Sequence, residues 1–209
     1  MKRNTKSRFF HYKNLIIKIH PDVYEPAEDT FLMLESISVK PGEYVLEIGT
    51  GCGIIALECA SNGANVVCTD INPYAVELAK YNYHKNKYFI KGKFEVRKGN
   101  LFSPIFKNER FDVIIFNPPY LPTKKNELVG GSGWFDVAVD GGTEGLNLIK
   151  RFIKDLRKYL TDVGKAYFVF SSLGNRKKLH NYLTKSRLNY QIVSSYNFDE
   201  ESISVYCVY

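Results

Sequence analysis

Hydrophobic and polar positions along the chain alternate between two periods. Past residue 40, short runs rich in β-branched and aromatic residues recur: YVLEIG (44–49), NVVCTD (65–70), KFEVRK (93–98), FDVIIF (111–116) and KAYFVFS (165–171). Each has the length and composition of one strand. The segments between them have helical spacing. GIIALECASNG ends on Gly63, where a helix C-cap belongs. In NPYAVELAKYNYHKN, Asn72 is a good N-cap and Pro73 suits the first helical position. Over 144–160, EGLNLIKRFIKDLRKYL, the residues Leu146, Ile149, Phe152, Ile153 and Leu156 share one face. A further helix is predicted over 24–38, beginning near Pro26. This alternation predicts an α/β fold, a parallel sheet covered on both faces.

Two segments depart from that rhythm. LNYQIVSSYNF and SISVYCVY are separated by little more than Asp199-Glu200-Glu201, too short for a helical crossover, and so predict an antiparallel hairpin at one side of the sheet. Residues 121–143 hold five of the 15 glycines and little periodicity. A loop of that length inside a domain is usually functional, and this one follows Tyr120, so it is read as a substrate-side loop. Neither an internal repeat nor a linker divides the chain, and 1–209 is read as one domain with a basic N-terminal segment, 1–22.

Composition changes this picture little. No apolar run approaches the roughly 18 residues of a membrane span, and Leu15–Ile17 is too short for a secretory core, which predicts a cytosolic protein without membrane association. Cys52, Cys59, Cys68 and Cys207 form no CxxC pair, so they are read as small buried apolar residues and no metal site is expected. The net charge of +7 suits contact with nucleic acid or an RNA-associated factor, and suits a solvated basic surface equally well.

Candidate chemistry begins after the first sheet strand, at Glu47-Ile48-Gly49-Thr50-Gly51-Cys52-Gly53. Glycines at every second position let the backbone turn tightly and let a ligand approach it. Asp70, at the end of the next strand, is placed to accept from two ribose hydroxyls. A dinucleotide fingerprint counted from Gly49 fails at Ile54, and counted from Gly51 it is met only loosely. Glu47 decides between ligands: a carboxylate there repels a pyrophosphate and suits an ammonium or sulfonium. S-adenosylmethionine carries both and no phosphate.

The fourth of these strands stops on Asn117-Pro118-Pro119-Tyr120. A planar nitrogen is a poor nucleophile because its lone pair is delocalised. Holding both of its N–H groups on acceptors lets it pyramidalise toward an electrophile. The Asn117 side-chain oxygen and the Pro118 carbonyl are two such acceptors. The two prolines fix the backbone angles, and Tyr120 offers a flat face for stacking.

The series Val23-Tyr24-Glu25-Pro26-Ala27-Glu28-Asp29-Thr30, Glu47 to Gly53, Asp70-Ile71-Asn72-Pro73 and Asn117 to Tyr120 resembles the HemK-like release-factor glutamine methyltransferases, in their short archaeal and eukaryotic branch. Asp140-Gly141-Gly142-Thr143-Glu144-Gly145-Leu146 resembles the family's loop before the next helix. The resemblance implies a class I methyltransferase (Rossmann-like) fold, with a seven-stranded, mostly parallel sheet, one antiparallel strand and helices on both faces. It implies S-adenosyl-L-methionine as methyl donor, S-adenosyl-L-homocysteine as product, and the glutamine of the Gly-Gly-Gln motif of a class 1 peptide release factor as substrate. By position, Thr30, Glu47, Gly49, Gly51, Gly53, Asp70, Asn100 and Leu101 are expected at the cofactor. Asn117 is expected at both cofactor and substrate, with Pro118, Pro119 and Tyr120 on the substrate side. The family usually has Asp at the position of Asn100, whose amide oxygen still accepts from an adenine amine. The resemblance also implies a small zinc-binding activator subunit, docked by strand addition on the edge formed by residues 88–98.

Two other substrates fit the same motif. An adenine or guanine amine of nucleic acid shares the planar-nitrogen chemistry, but no separate target-recognition domain stands beside it in 209 residues. A lysine ammonium gains little from an aromatic shelf and paired acceptors. A non-catalytic binding module needs neither Asn117 nor Glu47.

Overall fold

The computed structural model describes residues 8–122, 133–198 and 200–209. Its strands are β1 (Phe9–Tyr12), β2 (Leu15–Lys18), β3 (Tyr44–Ile48), β4 (Asn65–Asp70), β5 (Phe94–Lys98), β6 (Phe111–Phe116), β7 (Leu160–Ser171), β8 (Tyr190–Asn197) and β9 (Ser202–Val208). The helices are α1 (Glu28–Ser36), α2 (Ile54–Ser61), α3 (Pro73–Asn86), α4 (Trp134–Val139), α5 (Asn147–Leu156) and α6 (Arg176–Lys185). Seven strands form one sheet in the order β5-β4-β3-β6-β7-β9-β8. From β5 to β7 the neighbours are parallel, and β9 runs antiparallel to both β7 and β8. The expected terminal hairpin is there, with its second strand inserted beside β7.

Each face of the sheet has its own core. Helices α1, α2 and α3 cover one, through residues such as Met33, Leu57 and Ala75. Helices α5 and α6 cover the other, through Phe152, Leu156, Leu179 and Leu183. The stripe Ile149, Phe152, Ile153 and Leu156 is buried as its spacing predicts, and each such side chain contributes about 1.5–3 kcal/mol.

Some boundaries moved. The helix expected over 144–160 is confined to Asn147–Leu156, because Gly145 lies at φ 68° and cannot continue a helix backward. Leu160 already pairs with Phe111, so β7 begins five residues before the expected strand, across an irregular register near Phe111 and Val113. The 121–143 segment is not all loop: Trp134–Val139 is a short helix, and 123–132 lie outside the described residues.

The basic N-terminal segment contains a hairpin, β1–β2, with no strand beside β2 on its outer side among the described residues. Two asparagines of α3 take that place. Asn82 accepts from the Lys18 N–H at 2.9 Å and donates to the Lys18 carbonyl at 3.0 Å. Asn86 does the same for Ile16, at 2.8 and 2.9 Å. Asn82 also donates to the Cys52 carbonyl in the glycine loop at 2.8 Å. Among the described residues, no helix is long and apolar enough to cross a membrane.

The sheet order reverses between β3 and β6, so a crevice opens at the carboxyl ends of these two strands. Ile48 and Phe116 are register partners, which sets Gly49 and Asn117 side by side at its floor.

Candidate active site

Thr30, Glu47, Gly49, Gly51, Asp70, Asn100, Leu101 and Asn117 to Tyr120 all line this crevice. Gly53 does not. It caps α2 at φ 85°, and a Cβ there would lie 3.2 Å from Ala79, so its backbone angle and the packing of α3 both favour glycine.

Glu47 is 3% exposed. Its Oε2 accepts from the Thr50 hydroxyl and, at 3.1 Å, from the Ala56 N–H in the first turn of α2. Oε1 has no such bond among the described residues and is left for a ligand. Burial pushes the carboxyl up to about 8, against the opposing pull of these two hydrogen bonds. Asp70 accepts from Gly51 N–H and Asn72 N–H, both at 2.9 Å, one on each oxygen. Each oxygen keeps a lone pair for a hydroxyl. Burial raises this carboxyl too, while the backbone donors pull it down. Both acids therefore also shape the loop, Glu47 as a surrogate cap of α2 and Asp70 as the clasp of Gly51.

Asn117 Nδ2 donates to Asp29 Oδ2 at 3.0 Å, and the Tyr120 hydroxyl donates to the same oxygen at 3.1 Å. Asn117 Oδ1 is buried and has no hydrogen-bond partner among the described residues. Leaving such an acceptor unpaired costs about 1–3 kcal/mol, a cost removed when a ligand N–H reaches it. Burial, and next the Asp29 carboxylate, push the Tyr120 phenol far above its ordinary range, so it stays a donor. Behind Tyr120, the 140–145 loop packs backbone on backbone: Gly141 N–H donates to the Leu121 carbonyl at 3.0 Å, and a Cβ on Gly145 would lie 2.3 Å from the Tyr120 carbonyl oxygen.

Several lining residues were not singled out from the sequence. Asp29 joins Asn117 and Tyr120 through one oxygen; in the first turn of a helix an Asp reads simply as a dipole partner. Trp134, Val137 and Ala138 of α4 form part of the wall, in a stretch with too few residues to display a period. Leu101, by contrast, was expected at the cofactor; it takes φ 51°, a strained backbone for a leucine, and lines the wall beside Asn100.

The lining tests the ligand expected here. No Lys, Arg or His of the described residues lines the crevice, while Asp29, Glu47 and Asp70 do. In a chain of net charge +7, such a pocket repels phosphate and suits a cation. Apolar walls from Ile71, Leu101 and Phe116 complete a site fitting an adenosyl group with an ammonium or sulfonium.

A seven-stranded sheet of this order, with an acidic crevice at its reversal point, defines a class I methyltransferase. The chain belongs to the methyltransferase small domain family, whose model matches residues 15–133. It is 44% identical over 170 residues to a Methanocaldococcus jannaschii protein provisionally named a protein N5-glutamine methyltransferase, covering 80% of this chain and 81% of that one. It is 31% identical to the methyltransferase HEMK2 of Homo sapiens, over 88% of each chain. In three dimensions it is similar, with a TM-score of 0.67 and 24% identity over 90% of this chain and 98% of the other, to a chain of the E. cuniculi Mtq2–Trm112 complex responsible for methylation of the eRF1 translation termination factor.

Proposed function

We propose that this methyltransferase uses S-adenosyl-L-methionine to methylate the side-chain amide nitrogen of the glutamine in the Gly-Gly-Gln motif of a class 1 peptide release factor. The observation that carries this reading is the buried Asn117 Oδ1, without a hydrogen-bond partner among the described residues, in a crevice that none of the described Lys, Arg or His residues lines. The names borne by its relatives support the same substrate class.

The cofactor, when bound, would supply a methyl group on a positively charged sulfur and leave as neutral S-adenosyl-L-homocysteine, while the amide nitrogen would give up one of its two protons to solvent. Glu47 Oε1 would hold its cationic end and Asp70 its ribose hydroxyls, with Thr30, Gly49, Asn100 and Leu101 along the walls. On the substrate side, Asn117 Oδ1 and the Pro118 carbonyl accept the two N–H groups of the glutamine amide. Paired acceptors draw the nitrogen out of conjugation and hold it at one place and angle. Pro118 and Pro119 keep the acceptors aimed without further loss of chain entropy. The Tyr120 ring, tethered by its hydroxyl to Asp29, is a fixed shelf for the planar amide. Positioning and fixed dipoles of this kind supply several kcal/mol of barrier lowering. Two glycines before the glutamine let its backbone pass close to α4 at the mouth.

The same reading places the protein in the cytoplasm with its substrate. It also assigns a small activator subunit, zinc-binding in the family this chain resembles, to the β5 edge. There Phe94 and Val96 are half-buried, with Tyr83 stacked on Phe94 at 4.8 Å, but Tyr88 is 88% exposed and Phe89 45%. Exposed aromatics beside an edge strand favour strand addition.

Tritiated methyl donor offered to purified release factor, to its Gln-substituted variant and to RNA tests the substrate. Label is expected in the first alone. Label in RNA with none in the release factor would replace this reading with a nucleic-acid amine.

A further inference from the structure

We infer that Asp29 is the positioning residue of this reaction: it holds the Asn117 amide in the one orientation that turns its oxygen toward the substrate nitrogen, and it anchors Tyr120 beside it. The inference rests on the amide-methylation reading above and adds to it a residue that touches neither methyl donor nor acceptor in that scheme.

Asp29 is 3% exposed and its two oxygens are divided in their work. Oδ1 faces its own helix and accepts from the Thr30 N–H at 2.6 Å and the Thr30 hydroxyl at 3.2 Å, with the Tyr24 hydroxyl also at 3.2 Å. Oδ2 faces the end of β6 and, among the described residues, accepts from Asn117 Nδ2 and the Tyr120 hydroxyl. An asparagine amide is nearly symmetric in shape, so packing alone hardly distinguishes its two orientations. The carboxylate does. With Nδ2 toward Asp29 the contact is a charge-assisted hydrogen bond. Turned over, the amide would set its oxygen 3.0 Å from Oδ2, acceptor against acceptor, and its N–H groups toward the N–H groups of the substrate. Donation to an anion also polarises the Asn117 amide and makes Oδ1 a stronger acceptor.

Asp29→Asn tests this with almost no change of shape. The Thr30 N–H is a donor fixed by the backbone, so the new residue must keep its oxygen there and place its amino group toward Asn117. Two amino groups cannot face each other. Asn117 turns over, and its oxygen leaves the substrate. The turnover number on a Gly-Gly-Gln substrate is expected to fall by about 100-fold or more. The loss of S-adenosylmethionine affinity should be much smaller than the loss of turnover, because one lining carboxylate is neutralised while Glu47 and Asp70 are untouched. A readout that needs no substrate accompanies this: the side-chain amide resonances of Asn117, assigned with Asn117→Ala, should show one proton bonded to the anion in the wild type and lose it in the variant. An unchanged turnover number or unchanged Asn117 resonances would overturn the inference. So would equal losses of turnover and cofactor affinity, which mark a general collapse of the crevice. Should Asp29→Asn not fold, Asp29→Glu keeps the charge but displaces its oxygens, and carries the same comparison. If wild-type enzyme leaves Gly-Gly-Gln unmethylated, the amide reading fails separately, and the resonances still decide the role of Asp29.

Discussion

Replacing Glu47 by Gln should make the ligand-free protein more stable and the cofactor bind more weakly, and the first effect has a definite dependence on pH. Burial raises this carboxyl from 4.5 to about 8. Below 4.5 both folded and unfolded chains hold the proton, and the group contributes nothing. Between 4.5 and about 8 the unfolded chain has released it and the folded chain has not, so folding takes up a proton and stability falls as pH rises. Above 8 both states are ionised and the cost is constant. At about 1.4 kcal/mol for each tenfold in proton affinity, the ceiling is about 5 kcal/mol. Water entering the open crevice screens the ionised group, so a gain of about 1–3 kcal/mol is expected for Glu47→Gln at pH 8.5. The amide still accepts from Thr50 and Ala56, so the loop is retained. For a chain of this size the gain corresponds to a Tm higher by roughly 2–10 °C. Scanning calorimetry of both proteins at pH 4.5, 6.5 and 8.5, without ligand, should give a difference near zero at the first and growing through the other two. A difference that is flat with pH, or largest at pH 4.5, would refute the buried-acid reasoning. In the same series, S-adenosylmethionine should raise the Tm of the variant less than that of the wild type.

Other expectations separate binding from chemistry. Asp70→Ala should weaken S-adenosylmethionine binding by about 1–3 kcal/mol, and Asn117→Ala should leave it nearly intact while removing most turnover; calorimetry on the two variants decides, and equal losses would refute the division. Gly145→Ala places a Cβ against the Tyr120 carbonyl at a positive φ, so it should lower the turnover number through displacement of the Pro118–Tyr120 segment, with cofactor affinity unchanged in titrations. Val96→Pro removes an N–H and distorts β5; activation by a small partner subunit should be lost, and undiminished activation in a folded variant would place that partner elsewhere.

What could be read from the sequence depended on how far apart the cooperating residues lie. The sheet strands, the caps at Asn72 and Gly63 and the glycine loop are local signals, complete within a few residues. Asp70 was legible because strand ends gather at one crevice whatever the details of packing. Asp29 was not, because its bonds to Asn117 and Tyr120 span 88 and 91 residues. The β1–β2 hairpin was hidden for a related reason: its strands are only four residues long, and the outer edge of β2 has its hydrogen-bonding partners on α3, 64 and 70 residues away. Helix α6 buries only Leu179 and Leu183, too few for a visible stripe, although Asn175 caps it by accepting from the Lys178 N–H. The packing of Gly53 on Ala79 was equally hidden, since the two lie 26 residues apart and a glycine in a nucleotide-type loop reads first as ligand contact.

The asparagine pair on α3 amounts to a helix serving as half of a β-ladder, and the two lattices fit only briefly. Positions four apart on a helix are separated by about 6.0 Å along its axis, and positions two apart on a strand by about 6.7 Å. Asn82 and Asn86 meet Lys18 and Ile16 within side-chain tolerance, but each additional rung would add roughly 0.7 Å of mismatch. A long strand could not dock this way, which matches a hairpin of four-residue strands. The match also fixes register, because a slip of one residue would turn the buried Leu15 and Ile17 to the outside. The outer edge of β2 is thus closed by two side chains, leaving no free ladder there for another chain to extend.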